Sequence, residues 1–150
     1  KGDNVLLEYF KNEEATQGAF NEDGYFLTGD LGVEDEEGFF FITGRKKELI
    51  IKGGENISPR EIDDTLYKHN AVLEACTFGI EDDNYGEEIS ACVYLKDDLV
   101  ANEEELLDLC KADLGEYKTP RQIIFVNEPL PKGPSGKIQR LKIASQYSSS

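Results

Sequence analysis

The 150-residue sequence lacks methionine and tryptophan, and it contains a single histidine and three cysteines. Because translation starts with methionine, a chain that opens at Lys1 is expected to be a piece or a processed product of a longer protein. The single histidine, His69, excludes a multi-histidine metal site and argues against a Ser/His/Asp triad, so no metal site is predicted. Cys76, Cys92 and Cys110 lie far apart in apolar surroundings, which predicts buried thiols in a reducing compartment such as the cytoplasm.

Long apolar runs and basic stretches are also scarce. No run approaches the ~20 residues that a membrane span needs, so no transmembrane segment is expected, and membrane association through another part of the protein stays open. The chain carries 16 Lys and Arg against 31 Asp and Glu, a net charge of −15, which argues against a nucleic-acid binder because such proteins present a basic face. Basic residues cluster at 45–52 and 132–142. These clusters are either solvated surface or places that tolerate an anionic ligand.

Residues 4–43 have the pattern of short strands and turns. Apolar stretches at 4–7 and 39–42 predict strands, and turn residues at 21–24 and 36–38 lie between them. The region has no helical apolar stripe long enough to close a core. We therefore expect it to be the edge of a larger unit.

From Gly44 onward, helix and strand signals alternate. Residues 48–51 and 55–57 flank a two-glycine turn and predict a β-hairpin. Ser58, Pro59 and Glu61 then have the order of a helix N-cap, a first-turn proline and a capping box.

A second helix is predicted to begin after Asn102 and to end at Gly115. Strands are predicted at 72–80, 89–95 and 123–126, and disorder at 148–150. The alternation indicates a small α+β or α/β unit of two helices on about three strands.

One lysine, Lys137, lies on a glycine- and proline-rich loop with the sequence PLPKGPSGKIQR, residues 129–140. The loop is not a Walker P-loop, because only two residues separate Gly133 from Gly136 and no Ser or Thr follows the lysine. Two interpretations remain open at this point. Lys137 is either an exposed turn lysine or a mobile cation that stabilises negative charge on phosphate oxygens.

An aspartate, Asp30, lies between glycines in the segment FLTGDLG, residues 26–32. Its carboxylate could satisfy backbone N–H groups of a turn. A carboxylate so placed could also accept hydrogen bonds from both hydroxyls of a ribose, as acidic residues do in nucleotide sites.

Four segments combine these features in a fixed order. They are YFLTGDLG (25–32), FFITGRKKELIIKGGENISPREID (40–63), YGEE (85–88) and LPKGPSGKIQR (130–140). Together they resemble the carboxyl-terminal part of adenylate-forming enzymes, the acyl-CoA synthetase superfamily of AMP-dependent synthetases and ligases, from Gly2 to about Lys142. The family activates a carboxylic acid with ATP as an acyl-adenylate and then transfers the acyl group to a thiol.

The resemblance implies an α+β fold in which a small mobile lid rotates between the two half-reactions. Residues 1–44 would be the β-rich end of a large amino-terminal domain. Residues 45–142 would be the lid, with an approximately three-stranded sheet, helices and a β-hairpin, and residues 143–150 would be a tail.

The resemblance also implies roles for individual positions. Lys137 would bridge the acyl carboxylate and the α-phosphate during adenylation. Asp30 would bind the ribose hydroxyls, with Arg45 beside it, and Lys47 would be the hinge. The positions implied to contact the pantetheine arm or the nucleotide of CoA are Lys52, Gly53, Gly54, Glu55, Tyr117 and Arg121.

The function implied is that of an ATP-dependent acyl-CoA ligase acting on a carboxylic acid, expected to be a fatty acid. ATP with Mg²⁺ and CoA would be substrates, and this segment would bind no cofactor tightly. The acyl pocket and the phosphate loop are expected in the large domain, its partner, so the isolated chain is expected to be inactive. Alternatives are a domain that loads an acyl carrier protein, a non-catalytic CoA- or carrier-binding module, and an acidic interaction domain.

Overall fold

The structure is a computed structural model that describes residues 1–148. A short helix and a two-stranded sheet precede a larger sheet with three helices in that part of the chain. In chain order the elements are α1 (Glu13–Gly18), β1 (Asp30–Glu34), β2 (Phe40–Arg45), β3 (Ile50–Lys52), β4 (Glu55–Ile57), α2 (Pro59–Leu66), β5 (Val72–Asp82), β6 (Gly86–Leu95), α3 (Glu103–Leu114), β7 (Gln122–Val126) and α4 (Arg140–Tyr147), with 3₁₀ turns at Lys46–Glu48 and Glu116–Lys118.

The larger sheet is built on the long hairpin β5–β6. These two strands pair antiparallel over their whole length, and β7 pairs parallel to the second half of β6. The short hairpin β3–β4 joins the first residue of β6 through the pair Lys52–Gly86. The α+β class, the three-stranded sheet and the attached hairpin are thus as the sequence predicts.

Two apolar cores lie on opposite faces of this sheet, because alternate residues of a strand point to opposite sides. On one face, Ala75, Ala91 and Val93 pack under α2 and α3. On the other face, Cys76, Phe78 and Cys92 pack under α4 and the loop before it. The three cysteines are free, buried thiols, as predicted.

Helix α4 was not predicted from the sequence. It has one fully buried residue, Ile143, and the ring of Tyr147 stacks on Phe78 with 5.6 Å between centroids. Its apolar stripe is too weak to predict a helix from the sequence, and packing against the sheet stabilises it. It occupies part of the segment expected to be a tail, while residues 149–150 lie outside the described residues.

Helix α2 begins as predicted, with Ser58 at the N-cap and Pro59 at the first position, but the predicted capping box is absent. The Ser58 hydroxyl donates instead to the carbonyl of Thr43 at 2.6 Å, and Glu61 accepts from Lys118. Tertiary partners have replaced the local cap.

The capping box forms at α3. The Asn102 side chain accepts from the Glu105 N–H at 2.9 Å, and the Glu105 carboxylate accepts from the Asn102 N–H at 3.1 Å. The helix ends at Gly115, which has a left-handed φ of 79°.

The first 45 residues are only partly as expected. The predicted strand at 39–42 corresponds to β2, but the strand predicted at 4–7 is absent, since these residues form a turn, bends and irregular backbone. The side chains of Phe39, Phe40, Phe41 and Ile42 are all exposed, which fits the edge of a larger unit. No helix among residues 1–148 is long and apolar enough to cross a membrane.

Candidate functional site

A cleft of about 780 Å³ is lined by residues of the β1–β2 sheet, of β5 and of α2. Asp30, Arg45 and Lys137 all line it. Arg60 of α2 and Tyr67, just after that helix, line it as well. The structure therefore brings together three predicted site residues that are more than 90 positions apart at the extremes.

Asp30 and Arg45, which both line this cleft, form an ion pair. They are opposite each other in the antiparallel register of β1 and β2, and Arg45 Nε donates to Asp30 Oδ1 at 3.0 Å. The Asp30 side chain is about a quarter exposed. The carboxylate is therefore held by a side chain rather than by the backbone N–H groups of a turn, and it stays open to a ligand.

Lys137 lies at the end of a tight turn. Lys132 and Ile138 form an antiparallel bridge, and the Gly133 N–H donates to the Lys137 carbonyl at 2.9 Å. Gly136 supplies the left-handed backbone that the turn needs, with φ of 78°. The Lys137 side chain is exposed and makes no hydrogen bond or ion pair with another described residue, so its charge is available to a ligand.

The turn was expected to be mobile, but carboxylates hold the chain on both sides of it. Before the turn, Glu74 of β5 accepts from the Leu130 N–H at 2.7 Å and from the Lys132 ammonium. After the turn, Arg140 donates to Asp63 at 2.8 Å. Sequence reasoning missed these roles of Glu74 and Arg140, and their sequence separations of 56 to 77 residues left no local signal.

The pair of Asp63 and Arg140 is mostly buried. Burial raises the pKa of the Asp63 carboxyl, and the Arg140 guanidinium and the Thr77 N–H act against that rise. Burial alone would lower the pKa of Arg140, but the Asp63 carboxylate raises it and the net shift is upward. The guanidinium therefore stays charged throughout the pH range in which proteins fold.

Lys47 lies in the 3₁₀ turn Lys46–Glu48 that joins the two sheets. Its side chain is exposed. On the side of the smaller sheet, the Lys46 N–H donates to the Gly29 carbonyl at 2.9 Å. On the side of the larger sheet, Glu48 contacts Arg140 of α4. Lys47 is thus at the junction between two bodies, and its role as a hinge stays a prediction.

A second cluster surrounds the turn between β3 and β4. Lys52 is buried there: its ammonium contacts Glu88 at 2.5 Å, donates to the Tyr117 carbonyl at 3.2 Å and lies 5.1 Å from the Tyr117 ring centroid. A lysine expected to face CoA therefore has its charge paired inside the protein. It holds the turn in place rather than presenting a cation to a ligand.

The turn itself comes close to Tyr117. Gly53 and Gly54 have φ of 56° and 86°, and a Cβ on Gly53 would lie 2.8 Å from the Tyr117 hydroxyl. Glu55 is exposed and pairs with Lys52 in the hairpin. Of the predicted CoA-contacting residues, Lys52 and Gly53 thus lie against Tyr117, and Gly54 and Glu55 follow them in the same hairpin.

Arg121 lies near the same end of the sheet, with its side chain about two-thirds exposed. Its guanidinium contacts Asp82 Oδ2 at 3.1 Å. The N–H groups of Asn84 and Tyr85 lower the pKa of Asp82, and Arg121 adds to that effect. Asp82 therefore stays ionised, and it pairs with the Arg121 guanidinium that was expected to contact a CoA phosphate.

Known proteins are similar to this chain over nearly its whole length. Residues 61–137 match the family described as the AMP-binding enzyme C-terminal domain. The chain is 50% identical over 143 residues to a sulfoacetate–CoA ligase of Cupriavidus necator, covering 95% of this chain and 28% of that protein. It is 45% identical to a putative acyl-CoA synthetase, YngI, of Bacillus subtilis, covering 95% of this chain and 26% of that protein.

Among solved structures, ATP-bound MatB of Rhodopseudomonas palustris superimposes with a TM-score of 0.89 at 34% identity, covering 99% of this chain and 29% of that one. Apo MatB from the same organism superimposes with a TM-score of 0.71 over the same shares of the two chains. The chain thus spans under a third of the length of these relatives.

Proposed function

Because this chain belongs to the family of AMP-binding enzyme C-terminal domains, we propose that it is the carboxyl-terminal part of an ATP-dependent ligase that joins a carboxylic acid to CoA. The observation that carries the proposal is a cleft lined both by the exposed Lys137 and by the Asp30–Arg45 ion pair. A cation and a fixed carboxylate in one cleft suit a nucleotide, which carries both phosphate and ribose hydroxyls. Among carboxylic acids, a fatty acid is the first class of substrate to test.

The first half-reaction forms the acyl-adenylate. A carboxylate oxygen of the acid attacks the α-phosphorus of ATP, the bond to the β-phosphate oxygen breaks, and pyrophosphate leaves. Asp30 accepts hydrogen bonds from the ribose hydroxyls, and the ion pair with Arg45 orients that carboxylate. Lys137 stabilises the negative charge that builds on the α-phosphate and acyl oxygens.

The second half-reaction transfers the acyl group. The CoA sulfur attacks the acyl carbon, the thiol loses its proton, the bond to the adenylate oxygen breaks, and AMP leaves. The turn at Gly53 and Gly54 would line the path of the pantetheine arm, and Tyr117 and Arg121 would lie near its nucleotide. Lys52 and Glu55 frame that turn.

Because Lys137 and this turn lie on different parts of the lid, one site can use them only in succession. A rotation at Lys47 would exchange them. The higher TM-score to ATP-bound than to apo MatB supports an arrangement suited to adenylation. We assign residues 1–44 to the large domain, 45–142 to the lid and 143–150 to a terminal segment.

Among residues 1–148, no group of three or more His, Cys, Asp or Glu side chains could hold a metal ion. Mg²⁺ would enter as part of the ATP substrate. The acyl pocket and the phosphate loop would come from the large domain. The 150-residue chain alone would therefore be inactive, and acyl-dependent pyrophosphate release by it at the rate of a complete ligase would contradict this.

The test uses the full-length protein that carries this chain. Lys137→Ala should lower acyl-dependent pyrophosphate release by about 10²- to 10³-fold, the usual effect of removing one donor from a developing oxyanion. Thioester formation from supplied acyl-adenylate should be retained. Lys142→Ala, which removes an exposed lysine of α4, is the matched control. Unchanged adenylation by folded Lys137→Ala protein would overturn the proposal, and transfer to a carrier protein but not to CoA would correct the acceptor.

A further inference from the structure

We propose that Arg140 is a positioning residue that ties the Lys137 turn and the carboxyl side of the Lys46–Glu48 segment to the sheet as one rigid body. The proposal rests on the function proposed above and adds a residue to it. It predicts that rotation at Lys47 moves Lys137 as a fixed part of the lid, with no separate ordering of its turn.

The Arg140 side chain contacts three elements with its three nitrogens. Nε donates to Glu48 at 3.1 Å and Nη2 donates to Asp63 at 2.8 Å. Nη1 donates to the Thr77 carbonyl at 2.5 Å. Only about 15% of the side chain is exposed. A planar guanidinium can serve three acceptors in fixed directions, which a lysine ammonium on a flexible stem cannot reproduce.

The acceptors of Arg140 are themselves held. Asp63 uses its second oxygen to accept from the Thr77 N–H at 2.6 Å. Asp63, Thr77 and Arg140 thus form a closed set of hydrogen bonds between α2, β5 and α4. Removing the cation would leave the Asp63 carboxylate buried without its charge partner, which is costly.

The position of Arg140 in the chain connects this set to the proposed chemistry. Arg140 is the first residue of α4, three positions after Lys137. The Gln139 N–H just before it donates to the Pro131 carbonyl at 2.8 Å and closes the base of the turn. Glu48, the third acceptor, immediately follows the proposed hinge residue Lys47. One side chain therefore joins the end of the turn to the end of the hinge.

The experiment compares Arg140→Lys and Arg140→Met in the full-length protein, with Lys137→Ala measured in parallel. Misplacing a reacting group by about 1 Å can cost on the order of 10²-fold in rate. We therefore expect both Arg140 variants to lower kcat for adenylation by about 10- to 100-fold. The KM for ATP and the thioester half-reaction from supplied acyl-adenylate should stay near wild type, because Lys137 serves only the first step.

The control is Lys68→Met, which removes an ion pair between the segment just after α2 and Asp113 of α3 and should leave both half-reactions unchanged. Near-UV circular dichroism establishes that each variant is folded, and Arg140→Lys keeps the test valid where Arg140→Met fails to fold. Wild-type adenylation by folded Arg140→Lys protein, or an equal loss of both half-reactions, would overturn the inference. An inactive Lys137→Ala beside a normal Arg140→Lys refutes only the positioning role, whereas a normal Lys137→Ala refutes the proposed function itself.

Discussion

The hydroxyl of Tyr117 donates to the carbonyl oxygen of Lys52 at 2.6 Å, and the ammonium of Lys52 donates back to the carbonyl oxygen of Tyr117 at 3.2 Å. This reciprocal pair joins the β3–β4 hairpin to a segment 65 residues later. Because Lys52 immediately precedes Gly53, the glycine turn is held by contacts outside its own hairpin. Contacts within the protein itself therefore hold the turn in position.

The first prediction concerns the buried pair of Lys52 and Glu88, whose side chains are each about one-tenth exposed. Lys52→Met removes the cation and leaves Glu88 buried and unpaired, so the free energy of unfolding should fall by about 3 kcal/mol. Urea unfolding of the 150-residue chain measures the change.

The double variant Lys52→Met/Glu88→Leu is the control for this prediction. Replacing both partners by apolar residues should recover most of the loss, since no charge is then left unpaired. A single Lys52 variant as stable as the wild type would mean that the pair contributes nothing to the position of the turn.

The second prediction separates close approach from backbone strain at the glycine turn. Gly53→Ala and Gly54→Ala both place an L-residue at positive φ, which costs about 1–2 kcal/mol. Only the Cβ at Gly53 meets the Tyr117 hydroxyl; a Cβ at Gly54 has no heavy atom of the described residues within 4 Å apart from those of its chain neighbours. In the full-length protein, Gly53→Ala should therefore slow thioester formation more than Gly54→Ala, with adenylation unchanged. Equal effects of the two variants would assign the turn's sensitivity to strain alone.

The third prediction concerns the two asparagine caps. Asn102 forms a complete capping box on a helix that contributes Leu106 and Cys110 to the core, and Asn102→Ala should cost about 1 kcal/mol of unfolding free energy. The Asn12 side chain accepts from the Ala15 N–H at the start of α1, but that helix has no buried residue. Asn12→Ala should therefore leave the urea midpoint of the chain unchanged, and a shift as large as that of Asn102→Ala would show that α1 unfolds together with the lid.

The fourth prediction follows from burial of the thiols. Burial raises the pKa of Cys76 to about 12 and that of Cys110 to about 11. The thiolate is the reactive form, so iodoacetamide should leave both residues unmodified at pH 8 until the chain is unfolded. Mass spectrometry of native and urea-treated samples measures this, and modification in the native state would contradict the burial.

The same shifts give a sign for alkaline stability. Unfolded thiols lose their protons near pH 9, whereas the folded ones keep theirs, so the unfolded state binds fewer protons and stability falls as pH rises from about 9 toward 11. Cys110→Ala should flatten this decline relative to the wild type. An identical slope in both proteins would assign the decline to other groups.

Local signals were sufficient for the parts of the fold whose causes are close in sequence. Gly53 and Gly54 indicated the hairpin, Asn102 with its acidic first turn indicated α3, and the stretches at 72–80 and 89–95 predicted β5 and β6. The ion pair of Asp30 and Arg45 agrees with the neighbourhood expected from the family motifs. Their roles toward a nucleotide stay predictions.

The features that were missed depend on partners far along the chain. Ser58 has every local mark of a capping-box residue, yet its hydroxyl bonds to Thr43. Arg140 was only a positive charge in a basic stretch until the fold brought Asp63 beside it. No pattern within a helical turn or a strand encodes such contacts, and α4 is stabilised by the sheet rather than by its own sequence.

Helix α4 closes the second core after all the other described elements have left the ribosome. Residues 46–126 hold the first core and the larger sheet, so this part of the chain can collapse during synthesis before α4 emerges. The turn that carries Lys137 gains its second anchor only when Arg140 and Ile143 arrive. That turn would thus be the last part of the described chain to take up its final position.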